Sequence, residues 1–152
     1  FRGDAPRDGS GETYVVRVGE GKSGAELVAA GGYALENSAG EPISRDASAT
    51  PRDVSLRLVT VRQLTGKDAA TVEEILAAIP SDERQATDEE TLAFGAKYQD
   101  AQRKALIIGN LTSSFVGRRG LGLSAFIRVR YLYGGRTALR WLGCYRVLLA
   151  PK

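Results

Sequence analysis

The alternation of hydrophobic and polar residues predicts strands near both ends of the chain. Residues 13–18 (TYVVRV) and 54–64 (VSLRLVTVRQL) have the two-residue period of a strand with one buried face. Residues 126–133 and 137–150 have the same period, and the turn-forming sequence Gly134-Gly135-Arg136 separates them. These stretches predict a mainly antiparallel sheet of about four to six strands.

The central part of the chain has the spacing of two helices. Residues 69–79 carry apolar side chains at positions i, i+3, i+4 and i+7, after a capping Asp68 and before Pro80. Residues 88–108 follow Thr87, which begins the capping-box pattern Thr-x-x-Glu. Strands and helices in this order predict an α+β fold in which both helices pack on one face of the sheet.

The length of the chain, 152 residues, fits one domain. We expect an extended arm over residues 1–12, which are rich in Gly, Pro and charge, and a single α+β domain over residues 13–152. The apolar stretches are too short to span a bilayer, so no transmembrane segment is expected. The chain starts at Phe1 and contains no Met, which suggests a processed product or a fragment.

The last two predicted strands form a long hairpin over about residues 124–150, and two loop lengths fit its sequence. A two-residue loop pairs Tyr133 with Arg136 and mixes basic and apolar residues on both faces. A three-residue loop pairs Tyr133 with Thr137 and leaves one face without charge. A shift of one residue reverses the two faces, so burial of the uncharged face favours the three-residue loop.

This register places the arginines of the hairpin together on its other face. Arg130 and Arg140 become cross-strand neighbours that repel each other, with Arg128 and Arg146 nearby. Residues 101–152 hold ten basic residues and no acid, whereas the first hundred hold all 18 acids and 11 bases. Charges of −7 and +10 give the net charge of +3. The arginines therefore need an anion from elsewhere, unless their charged ends simply lie in water.

Several residue types that enzymes rely on are absent from the sequence. There is no His, which excludes Ser-His-Asp catalysis and, with a single cysteine, makes a zinc site untenable. The cysteine, Cys144, cannot form a disulfide within the chain, and its place in a predicted strand suggests a buried thiol. We therefore expect no catalytic residues, no metal and no cofactor, and the hypothesis is that the protein is not an enzyme.

Two glycine-rich stretches are candidate phosphate sites. The first, GEGKSG at residues 19–24, has the letters of a dinucleotide-binding loop and part of a P-loop, but Val16 stands where a P-loop requires Gly. Its candidate phosphate-binding residues are Gly19, Gly21, Lys22, Ser23 and Gly24. The second, GRRGLG at residues 117–122, combines backbone N–H groups with two arginines. The alternative for both stretches is an exposed turn or connector.

The split charge and the missing catalytic residue types favour a structural subunit that self-assembles, such as a virion coat (capsid), tail or filament protein. The acidic part of one copy would contact the Arg-rich hairpin of the next, which makes a homo-oligomer. One alternative is a module that binds RNA, DNA or another polyanion through the same arginines. Another is an enzyme with a phosphate or nucleotide ligand at residues 19–24. The residues predicted to contact the partner are Arg118, Arg119, Arg128, Arg130, Arg140 and Arg146. No compartment is assigned by the sequence.

Overall fold

The computed structural model describes residues 13–22, 24–32, 50–112, 119–126, 129–135 and 140–152. The predicted arm, residues 1–12, lies outside this part. The strands are β1 (Thr13–Val18), β2 (Arg52–Thr60), β3 (Ala69–Ala70), β4 (Glu83–Gln85), β5 (Ile107–Asn110), β6 (Arg119–Phe126), β7 (Val129–Gly135), β8 (Trp141–Leu142) and β9 (Arg146–Pro151). The helices are α1 (Gly24–Gly31), α2 (Val61–Thr65), α3 (Val72–Ala78), α4 (Asp88–Lys97) and α5 (Ala101–Lys104).

A seven-stranded sheet organises the molecule. Its strand order is β1-β2-β9-β5-β6-β7, and β4 pairs with β9 beside β5; β3 and β8 form a separate two-stranded sheet. Neighbouring strands are antiparallel except β5 and β9, which are parallel. The predicted α+β class with a mainly antiparallel sheet is confirmed, with seven strands where about four to six were expected. None of the helices in the described residues is both long enough and apolar enough to cross a membrane.

The centre of the sheet is β9, because its sequence is apolar on both faces. Residues 147–150 (VLLA) are all fully buried. Leu148 and Ala150 belong to one hydrophobic cluster, and Val147 and Leu149 belong to another. A strand that buries both faces belongs inside a sheet that is covered on both sides.

The two predicted helices lie on opposite faces of the sheet, so the prediction of one shared face is wrong. On one side, α1 and α4 pack against the sheet through Leu27, Leu92 and Phe94. On the other side, α2, α3 and the small β3–β8 sheet contribute Ile75 and Trp141. The physical reason is the two-sided hydrophobicity of β9, which needs a cover on each face.

The helix predicted at residues 69–79 begins later than expected. Ala69 and Ala70 form β3, and α3 follows an N-cap at Thr71, whose side chain accepts a hydrogen bond from the Glu74 backbone N–H. Asp68 is not the cap, because its carboxylate pairs with Arg62 at 2.8 Å.

The helix predicted at residues 88–108 is interrupted. Its capping box at Thr87 is confirmed, but α4 ends at Lys97, and residues 107–110 form the buried strand β5. Tyr98 leaves the helical conformation, and its ring packs against those of Tyr14 and Phe94. The two Ile residues of β5 pack into the two faces of the core, and this tertiary burial outweighs the local preference for a continuous helix.

The long hairpin predicted over residues 124–150 does not form. Strand β7 pairs with β6 in its place, so Tyr133 lies opposite Gly122. Strand β8 pairs with β3, and β9 pairs with β2. Arg136 and Thr137, on which the two loop lengths differ, lie outside the described residues. The fully apolar run in β9 explains the difference, because a hairpin with one exposed arginine face would leave half of that run in water.

Candidate functional site

The six predicted partner-binding arginines do not lie on one hairpin face. Arg119 is in β6 opposite Gly135, at the far end of the β6–β7 hairpin from Arg130. The two positions are about 20 Å apart along the strands. Arg140 is exposed just before β8, and Arg146 is partly buried at the start of β9, opposite Thr60. Among the described residues, the predicted Arg130–Arg140 pair is therefore absent. Arg118 and Arg128 lie outside the described residues.

Acids of the first hundred residues are paired with bases of the same part of the chain. The carboxylates of this set lie within 3.3 Å of a partner base, and the pairs are Arg17–Asp53, Arg57–Glu83, Arg62–Asp68, Arg84–Glu90 and Lys67–Glu74. The bidentate hydrogen bonds from Arg57 to Glu83, at 2.9 and 2.5 Å, raise the pKa of Arg57 above its ordinary value. Much of the acidic charge is therefore neutralised internally.

The basic last third has few such partners. Arg103 lies 3.5 Å from Asp100. In the part of the chain that the structure describes, no carboxylate lies within 4.0 Å of Lys104, Arg140 or Arg146, nor of Lys152 at the end of the chain. The positive charge at these positions is available to an external anion.

Three consecutive acids at the start of α4 are buried, although nothing in the local sequence indicates it. Asp88, Glu89 and Glu90 are only 1%, 5% and 1% exposed. Asp88 accepts a hydrogen bond of 3.0 Å from the Asn110 side chain, and Glu90 accepts two of 2.8 Å from Arg84. Glu89 accepts one hydrogen bond, of 3.0 Å, from the backbone N–H of Gly19. Negative charge at a helix amino end is favourable, but it is usually exposed to water.

Asn110 belongs to this polar network, although Asn110-Leu111-Thr112 has the form of a glycosylation sequon. Its side chain is 5% exposed. The Nδ2 group donates to Asp88, and Oδ1 accepts from the Thr112 backbone N–H at 3.1 Å and hydroxyl at 2.9 Å. The folded protein therefore does not present this amide for modification.

The glycine-rich stretch at residues 19–24 does connect a strand to a helix, as a phosphate-binding loop would. However, the Gly19 N–H already binds the Glu89 carboxylate, and Lys22 lies 3.8 Å from Glu20. Gly19 also has a packing role: its φ is +82°, and a Cβ there would lie 2.2 Å from the Thr50 carbonyl oxygen. Ser23 lies outside the described residues. The loop is thus directed at an internal carboxylate, not at a free anion.

A cavity of about 250 Å³ lies beneath this loop, between β1, α1 and α4. Its apolar lining includes Val16, Leu27, Leu92 and Ala93. Its charged lining comprises Arg17, Glu20, Lys22, Glu89 and Lys97. The combination of an apolar floor and a few charged groups is typical of a small-ligand site, at the small end of the size range.

A larger cavity, of about 480 Å³, lies on the other side of β2 and holds less chemistry. Arg57 and Glu83, which line it, are paired with each other. Cys144 is exposed in the turn between β8 and β9, so the expectation of a buried thiol is wrong. Across the described ranges, no group of three His, Cys, Asp or Glu residues is placed to hold a metal ion.

The chain was compared with protein-family models, with curated proteins and with solved structures, and none of these matches it. Its function is therefore inferred from its own geometry and charge.

Proposed function

We propose that the protein is a non-enzymatic structural subunit that self-assembles into a coat, tail or filament through the basic last third of its chain. The observation that supports this proposal is the unpaired positive charge of Lys104, Arg140, Arg146 and Lys152 within the described residues. Bases without an internal acid favour contact with an external anion. In a homo-oligomer the anion is a carboxylate of the neighbouring copy.

The acids that the neighbouring copy can offer are limited. Most acids of the described front part are already paired or buried. Residues 1–12 and 33–49 together carry six acids and three bases, a charge of −3. The acids of these segments are Asp4, Asp8, Glu12, Glu36, Glu41 and Asp46. A contact between these segments and the basic residues of the next copy joins two different surfaces, so it builds rings or filaments.

A second candidate, a module that binds RNA, DNA or another polyanion, has one observation in its favour. The acidic front part would repel a polyanion, but at least five of its carboxylates are neutralised by arginine or lysine in the fold. The repulsion is therefore weaker than the formal charge of −7 suggests. The third possibility, an enzyme with a phosphate ligand at residues 19–24, is disfavoured because Glu89 occupies the Gly19 N–H.

Light scattering after size exclusion, at low and high salt, tests the proposal. The purified protein should form large particles at low salt that dissociate at high salt, because exposed charge pairs are screened. The double variant R140Q/R146Q should assemble less. The control R17Q/R62Q removes the same charge from two exposed arginines of the front part and should assemble normally.

Absorbance at 260 and 280 nm separates the two candidates in the same experiment. Particles free of nucleic acid support self-assembly. Particles that carry nucleic acid, with a binding constant that falls steeply as salt rises, support the polyanion-binding module. A monomer at both salt concentrations, without nucleic acid, would rule out both.

A further inference from the structure

Glu89 differs from its two neighbours in having no cation. The carboxylate of Glu90 is held by Arg84, and that of Asp88 is held by a side-chain amide. For Glu89, the structure shows within its described residues one hydrogen bond, from the Gly19 N–H to Oε2. An ionised carboxylate in a buried position is unfavourable unless a cation or several donors compensate it. One amide and the helix amino end provide only part of that compensation.

The basic residues around the cavity are occupied elsewhere. Arg17 lies 3.3 Å from Asp53 and 4.0 Å from Glu20. Lys22 lies 3.8 Å from Glu20. The Lys97 Nζ donates to the Val15 carbonyl oxygen at 2.8 Å, and it lies 5.4 Å from the centre of the Tyr98 ring. None of these three bases pairs with Glu89 in the described part of the structure.

Glu89 also lines the cavity, so its second oxygen is placed where a ligand can meet it. The other walls are mostly aliphatic, from Val16, Leu27, Leu92 and Ala93. A buried carboxylate in an apolar cavity is complementary to a cation that carries a short hydrocarbon group. A primary ammonium group fits because its N–H donors form short, charge-assisted bonds to a carboxylate. The volume of about 250 Å³ limits the ligand to a small molecule.

We propose that this cavity binds a small primary ammonium compound, with the ammonium group on Glu89 and the hydrocarbon part against Leu27 and Leu92. The ammonium group can belong to a simple alkylamine or to an α-amino acid. An amino acid adds a carboxylate, which Lys22 at the mouth of the cavity can accept. Ammonium binding is independent of the proposed assembly, because the cavity uses none of the basic residues of the last third.

The test is a titration of the intact protein, labelled with ¹⁵N, with n-butylammonium and with norvaline. Butanol and butyrate serve as controls that lack the ammonium group. The expected result is a saturable shift of the Gly19 amide resonance with at least one ammonium compound and with neither control. Binding of both compounds assigns recognition to the ammonium group alone. Binding of norvaline alone adds the carboxylate contact, and both outcomes support the proposal.

Two variants make the test specific to the cavity. E89Q keeps an oxygen acceptor for the Gly19 N–H but removes the charge, and it should lower the affinity by roughly tenfold or more. E20Q, at the rim, should change it by no more than about twofold. A93L fills the cavity without altering Glu89, and it should abolish binding even if E89Q folds poorly. No saturable shift with either compound, equal binding to E89Q, or a response to sodium or potassium ions alone would overturn the proposal.

Discussion

The ion pair between Arg84 and Glu90 should be among the strongest single contributions of a side-chain pair to stability. Arg84 in β4 donates two hydrogen bonds of 2.8 Å to Glu90 in the first turn of α4. The Glu90 side chain is 1% exposed and that of Arg84 is 29% exposed. The variant R84M keeps most of the aliphatic stem but leaves a buried carboxylate, which then relies on the capping-box hydrogen bond from the Thr87 N–H.

The expected cost of R84M is about 3 kcal/mol. Removing one partner of a buried pair costs roughly 3 to 5 kcal/mol. The lower end applies here because Arg84 is in partial contact with water, so solvent can reach one side of the site. In a chain of this length that cost lowers the melting temperature by about 6 to 12 °C. Urea unfolding should show a lower midpoint with an unchanged slope.

An exposed pair of the same geometry provides the control. Arg62 lies 2.8 Å from Asp68, but the two side chains are 59% and 89% exposed. The variant R62M should therefore cost less than about 0.5 kcal/mol. If R62M and R84M cost the same, burial does not determine the strength of these pairs and the reasoning is refuted.

A double variant tests whether the cost comes from the unpaired charge. R84M/E90M removes both charges and loses the capping contribution of Glu90, about 1 kcal/mol. It should therefore be more stable than R84M alone, with a coupling energy of about 2 kcal/mol between the two positions. A double variant whose cost equals the sum of the two single costs would contradict a buried, coupled pair.

Two further predictions concern the loop after β1 and the start of α3. G19A should cost about 2 to 4 kcal/mol in urea unfolding, because its Cβ would lie 2.2 Å from the Thr50 carbonyl oxygen; G21A, with φ +74° and no atom within 4 Å, should cost about 1 kcal/mol. The hydrogen bond from Lys67 lowers the pKa of Glu74 from 4.5 to about 2, so the stability that Glu74 adds above pH 4.5 should disappear as the pH falls toward 2. In K67Q an NMR titration should show the Glu74 pKa closer to 4.5, and a wild-type value already near 4.5 would contradict the assignment.

Local patterns identified the elements whose structure depends on nearby residues. The alternation in residues 13–18 correctly gave β1, and the Thr-x-x-Glu pattern at Thr87 correctly gave the start of α4. These features require a period or a hydrogen bond within one turn, and both can be read from adjacent residues.

Pairing between distant strands was not accessible in the same way. The alternation in residues 137–150 fits a hairpin arm, but it belongs to two strands, β8 and β9, which pair with partners far away in the sequence. The candidate cavity was missed for a related reason. What buries Glu89 is the loop at Gly19, 70 residues earlier, and a run of acids at a helix start looks like an exposed first turn.

The position of β9 has a consequence for how the protein is made. Strands β2, β4 and β5 are all synthesised before the strand that lies between them. While the ribosome extends the chain, the apolar faces and unpaired edges of these strands have no partner, and such surfaces bind chaperones or other chains. The sheet can close only when residues 146–151 have emerged. Because the pairing of β2 with β9 spans most of the chain, we expect this closure to be slow and to follow synthesis.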